Sequence, residues 1–210
     1  MAKIFTGILG PASGKVAGVV GGRWKTQNYV RGYVIPSNPN TAAQQTQRTK
    51  FQKCVAFATF LVGPVFNVYS DKFLKSLSGF NFFVSHNVAH FTTPPAYQSL
   101  LVTEGKLYTP VITTVTNNTV NSWVEIKWST AVGNNGSATD KVYGLVYNVT
   151  KDLWGFFAAE ELRSAGSVGH QVVISNAASD VCECYIFAAK YVGTVLDMIS
   201  NSDHLQHTCT

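Results

Sequence analysis

Residues able to do chemistry are few in this chain, and each group falls short of a working set. His86 and His90 stand four apart, a spacing that can put two imidazoles on one helix face as the start of a zinc site. A zinc-protease helix needs a glutamate directly after its first histidine, and Asn87 occupies that position. Near the end of the chain His204, His207 and Cys209 offer three potential ligands within six residues, but a short cluster in a terminal segment reads as unstructured and inert. Gly14-Lys15 suggests a phosphate loop; that motif needs a glycine where Leu9 stands and a serine or threonine where Val16 stands.

The carboxylates and thiols are no better placed. Asp140 and Asp152 bracket a predicted strand from opposite ends, and the adjacent Glu160 and Glu161 diverge on any regular element, so no pair is set up for acid–base work. Cys54 belongs to an apolar helix and is expected as a buried free thiol. Cys182 and Cys184 are two apart, on the same side of a strand, and poorly placed to bond each other. No Gly-x-Ser-x-Gly elbow occurs. The expectation is a protein that is not an enzyme and carries no metal and no cofactor.

Composition directs attention to assembly or binding instead. Only 13% of the 210 residues are charged, against about 25% in an ordinary soluble domain. With 13 Phe, 9 Tyr and 4 Trp, so little charge fits either a dense core or aromatic surface buried against neighbours. The net charge of +5 conceals a division: residues 1–95 carry ten Lys and Arg and one acid, residues 96–210 six and ten. The first 53 residues hold eight basic residues and no acid at all. Such a leader faces nucleic acid or an acidic surface, including the acidic half of a neighbouring copy, unless it is simply a solvated tail.

The elements that would position these residues fall into three segments. Residues 1–37 read as a basic, glycine-rich extended arm, because Gly7, Gly10, Gly14, Gly18, Gly21, Gly22 and Gly32 exclude a stable helix. Residues 23–31 suit a strand, and Arg23, Trp24, Lys25, Tyr29, Arg31 and Tyr33 interleave cations with aromatic rings as a contact surface would. Residues 38–95 read as helical: Thr41 and Gln44 form a capping box, and Phe51, Cys54, Val55, Ala58, Leu61 and Val62 mark a buried face ending near Gly63. A second helix follows Pro64 with Val65, Tyr69, Phe73 and Leu77 inward, and a third covers about residues 81–91.

Beyond Thr92-Thr93-Pro94-Pro95 the pattern changes to period two. Strands are expected near residues 99–102, 106–115, 120–128, 141–148, 153–158, 170–175 and 182–191, with asparagine- and glycine-rich turns between them. Residues 96–210 therefore read as an immunoglobulin- or fibronectin-like antiparallel β-sandwich, and the whole chain as α+β. The apolar run 54–66 is too short to span a bilayer, which takes about 20 residues, and the N-terminus lacks the apolar core of a signal peptide.

The run from Gly7 through Leu9-Gly10-Pro11 and Gly14-Lys15, then Trp24-Lys25, Val30-Arg31, and Asn38-Pro39 with Thr41, Gln44, Arg48 and Phe51 forms a longer pattern. Asp140-Lys141, Val146-Tyr147-Asn148, Arg163 and Tyr185-Ile186-Phe187 continue it in the second half. It resembles an uncharacterised family of small proteins encoded in Bacteroidetes genomes and in phages, in which a glycine-rich start and a Gln/Arg helix precede a β-sandwich-like half. The resemblance implies a phage-related structural component. With the cationic leader, this gives the expectation of a virion protein (capsid, tail or surface) that self-associates as a homo-oligomer, contacts other virion proteins, and can meet nucleic acid through its arm. The alternative is a bacterial surface or extracellular module for adhesion or ligand binding.

Overall fold

The computed structural model describes residues 2–4, 13–35, 37, 40–66, 77–157, 161–166 and 169–210. The chain divides into two compact units, Met1–Ala42 and Ala43–Thr210.

The first unit is a small antiparallel sheet of β1 (Ala2–Ile4), β2 (Gly14–Val16), β3 (Val19–Trp24) and β4 (Gln27–Gly32), in the order β1-β4-β3-β2. The expected single strand over residues 23–31 is two strands: the chain reverses at Lys25-Thr26, with Lys25 left-handed at φ 53°. The polar run from Lys25 to Asn28 is a turn signal that outweighs the alternation around it. Among residues 13–35 none is buried.

The second unit begins with α1 (Ala42–Leu61), which places Thr41 at its N-cap position, and a π-helical turn (Val62–Phe66) follows. Its buried stripe is Cys54, Phe57, Ala58 and Leu61. Phe51 and Val62, expected on that face, are exposed and Val55 is half-buried. Phe51 sits in the exposed first turns, and Val62 lies past the helix end, where the wider π turn changes the phase. Phe57 takes the inward place instead. The second expected helix lies mostly outside the described residues. The third is α2 (Gly79–Asn87), capped by Ser78, whose Oγ accepts from the Asn81 N–H at 3.3 Å, and extended by a 3₁₀ turn (Val88–His90).

The strands that follow are β5 (Ile112–Asn118), β6 (Trp123–Trp128), β7 (Lys141–Asn148), β8 (Leu153–Phe156), β9 (Glu161–Leu162), β10 (His170–Val173), β11 (Val181–Val192), β12 (Val195–Ile199) and β13 (Asp203–Thr208). The strand expected over residues 99–102 does not form, residues 97–99 making a 3₁₀ turn, and the one expected over 106–115 begins only at Ile112 after an isolated bridge at Leu107. β9, β12 and β13 were not anticipated. The tail read as unstructured is β13, paired with β11 from Val181↔Thr208 to Ile186↔Asp203. Its sequence, DHLQHT, carries almost no apolar signal, and what orders it is the open edge of β11.

Three strands form one antiparallel sheet, β10-β6-β5, and the rest a larger one with β12-β11-β7-β8 as its path and β13 and β9 attached. Residues of both sheets share one core, in which Val124, Ile126 and Trp128 meet Val142, Val146, Cys184 and Ile186. The opposite face of β7 and β11 carries Leu145, Tyr147, Tyr185 and Phe187 into a second core with Phe57, Leu61 and Phe83. The result is an α+β body in which helices cover one side of the large sheet and the small sheet covers the other. A buried ion pair closes one end of the small-sheet side: Arg163 Nε lies 3.4 Å from Asp140 Oδ2, and Arg163 Nη2 donates to the Tyr108 carbonyl at 2.6 Å. No helix among the described residues is long and apolar enough to cross a membrane.

The two covers are separately testable by urea denaturation. Phe83→Ala, on the helical side, is expected to cost about 3–5 kcal/mol, and Ile126→Ala, on the small-sheet side, about 2–5 kcal/mol. Val173→Ala, at an exposed strand position, should stay within about 0.5 kcal/mol.

Candidate functional site

The ladder of the first unit sorts its side chains. Paired residues in an antiparallel sheet project to the same side, and successive residues alternate. Lys15↔Val20, Val20↔Arg31, Gly22↔Tyr29 and Trp24↔Gln27 are such pairs. Lys15, Trp24, Tyr29 and Arg31 therefore share one face. Tyr33 continues the alternation of β4, its N–H donating to the Gly18 carbonyl at 2.7 Å. Its ring lies under the Lys15 ammonium, 3.5 Å from the centroid, a cation–π contact worth about 0.5–1 kcal/mol at an exposed site.

Four of the six expected interface residues, Trp24, Tyr29, Arg31 and Tyr33, thus fall on one face. Arg23 does not: it lies on the opposite side, and its Nε donates to the Lys25 carbonyl at 3.0 Å. Lys25 occupies the turn. Lys15 joins the group although sequence reasoning weighed it only as a phosphate-loop lysine; the signal that finds it is register, which needs the pairing of β2 with β3. Lys3, in β1, is in register with Tyr29. Gly22 leaves room for the Tyr29 ring that lies across it: a Cβ there would sit 2.8 Å from the ring's far end, which would have to shift.

The other face gathers Val16, Val19 and Val30 with Arg23 and Asn28. Val16 is 74% exposed, and Trp24 on the first face 70%. Strands this short, with none of residues 13–35 buried, lack the apolar contact that such sheets need. No acid occurs before Asp71, so the cations of this unit have no carboxylate within their own segment.

The residues weighed for metal or catalytic roles are engaged elsewhere. His86 closes α2, with Nδ1 2.9 Å from the Phe82 carbonyl, while His90 has passed into the 3₁₀ turn. On β13 strand alternation separates the tail cluster. His204 Nε2 meets buried Glu183 Oε2 at 2.6 Å on the helical side. On the other side His207 meets Asn117 Oδ1 at 2.9 Å, and Cys209 Sγ lies 3.7 Å from Cys182 Sγ. Among the described residues no three histidines, cysteines or carboxylates stand together as metal ligands would. All four thiols are free and buried; burial pushes Cys54 up to about 11 and raises Cys182, Cys184 and Cys209 as well, which disfavours the nucleophilic thiolate.

One protein-family model matches this chain, over residues 11–203: DUF6266, a family of unknown function. No curated protein and no solved structure matches it. The matched span covers the described part of the first unit from β2 onward, both helices and all strands through β12.

The environment of the tail makes stability depend on pH. Burial holds the His207 imidazole below its ordinary value, so the unfolded chain takes up the proton first. The contribution of His207 is fully present above about pH 6.5 and is lost as pH falls from there toward the lowered folded value. His207→Gln should flatten that part of the stability profile in urea titrations at pH 5–7, while Thr210→Ala should leave its slope unchanged.

Proposed function

We propose, for a chain that belongs to the DUF6266 family, that it is a phage virion structural protein, a capsid, tail or surface component that assembles with copies of itself through the N-terminal sheet. The observation that supports this most is that residues 13–35 make an ordered ladder without burying a single side chain. Val16 and, just beyond β4, Ile35 are 74% and 77% exposed. A surface of this kind gains stability when another molecule covers it.

The apolar face suits a neighbouring protomer, and a free strand edge can add to a sheet of that neighbour. The face with Lys15 and Arg31 suits acidic groups, either on the oppositely charged half of the next copy or on packaged nucleic acid, whose bases Trp24, Tyr29 and Tyr33 would stack. A head-to-tail contact closes into rings or continues as a filament. The two packed antiparallel sheets support reading the body as an elaborated immunoglobulin- or fibronectin-like sandwich, a common carrier of surface functions. Other virion proteins are the remaining partners under this reading, and the virion is the location. The second reading, a bacterial surface or extracellular binding module, is favoured by one feature of the body, an open aromatic cavity.

Light scattering tests the assembly. Deleting residues 1–35 should leave a folded monomer, and Val16→Asp with Val19→Asp in the full chain should weaken association at least tenfold, about 1.4 kcal/mol. An oligomer of unchanged mass in both variants overturns the reading. A salt series on any nucleic-acid binding separates phosphate contact, which falls steeply with salt, from protein contact.

A further inference from the structure

The second unit holds an open cavity of about 360 Å³ between α1 and the β7–β8 hairpin, within the range of about 300–1,000 Å³ typical of ligand sites. Lys53, Phe57 and Phe60 lie four and three residues apart on α1, so one helix face delivers all three to it. Tyr147 and Trp154, paired across the hairpin, supply the other wall. The rings stand as a corner. Phe57 meets Trp154 edge-on, centroids 4.5 Å apart at 80°, whereas Phe60 lies nearly parallel to Trp154 at 5.6 Å and 22°. Phe60 is 49% exposed, so part of its ring faces solvent.

The polar groups at the mouth narrow the ligand. Asp152 stands at the tip of the hairpin turn in the left-handed region, φ 53°, and accepts a hydrogen bond from Tyr147 Oη on Oδ1 at 2.8 Å. Lys53 also lines the cavity, and its side chain is long enough to bring an ammonium to a bound ligand. A cationic ligand would meet the lysine unfavourably and an anionic one the aspartate. A neutral molecule rich in hydroxyls can donate to the carboxylate and accept from the ammonium together. Its polarised C–H bonds can lie against the negative faces of the rings.

Tyr147 stacks on Trp154 at 4.5 Å and 26°, so the indole backs the corner and Phe60 offers the open ring. We propose that this aromatic corner is a saccharide-binding site, with the exposed Phe60 ring as the stacking surface for a pyranose and Asp152 and Lys53 as its hydroxyl partners. All of these residues belong to the second unit, so the site does not depend on assembly through the N-terminal sheet.

Saturation-transfer NMR on the full chain tests it, with glucose, galactose, N-acetylglucosamine and cellobiose as probes and choline and benzoate as charged controls. Transfer to at least one saccharide is expected, with little to either control. Phe60→Ala and Asp152→Asn alter exposed side chains and should leave the thermal unfolding midpoint nearly unchanged. Each should weaken saccharide binding about tenfold by calorimetry, the size of a lost hydrogen bond to a charged group or of a lost stacking contact. Silence from all four sugars, binding that survives both substitutions, or binding of choline or benzoate in their place overturns the proposal.

Discussion

Strands β7 and β11 are apolar on both faces, and this constraint organises the second unit. Nearly every residue from Val142 to Asn148 and from Cys182 to Ala189 is buried, so neither strand tolerates water on either side. One cover alone would leave half of that surface exposed, at about 25 cal/mol for each Å² of apolar area. The helices supply aromatic side chains to one face, with Phe57 and Phe83 stacked 5.6 Å apart. The small sheet supplies mainly aliphatic ones to the other. Polar groups caught between the layers must then be satisfied in place. Glu183, on the helical face of β11, is met by His204 and Gln206 of β13. Asn148, at the end of β7, is held by the Asp180 carboxylate and the Ser175 carbonyl.

The first unit obeys the opposite condition. Its strands pair in register, yet among residues 13–35 no side chain is buried. Among the described residues, apolar side chains of the second unit are gathered in two cores, while none of residues 13–35 is buried. A ladder fixes where side chains point even when packing does not, which is why four of the expected contact residues can stand together among residues 13–35, none of which is buried.

Much of the body was legible in the chain. β7 begins and ends where the alternation between Asp140 and the asparagine turn places it, and Cys54, Ala58 and Leu61 lie inward at helical spacing. The misreadings have specific causes. At Lys25-Thr26, β-favouring neighbours mask a polar turn. Phe57 is buried where periodicity points to Phe51, because periodicity gives the stripe's phase but not the point at which a helix reaches its partner. β13 carries histidines and glutamine where an edge strand usually shows apolar alternation. Lys15 joined the candidate face only through pairing, and the aromatic cavity unites α1 with residues almost a hundred positions later.

What the sequence determined by itself is everything local: the helical and strand periodicities, the turn chemistry, the cationic leader and its lack of acids. Those properties depend on neighbours a few residues away, so they are present in the string. What only the tertiary structure decided is which side of each element meets which other: Arg23 turned away from Arg31, His204 separated from His207 and Cys209, Phe60 brought beside Trp154. Strand register and layer order set these juxtapositions, and both arise from burying two faces of one sheet at once, a condition that no window of the sequence contains.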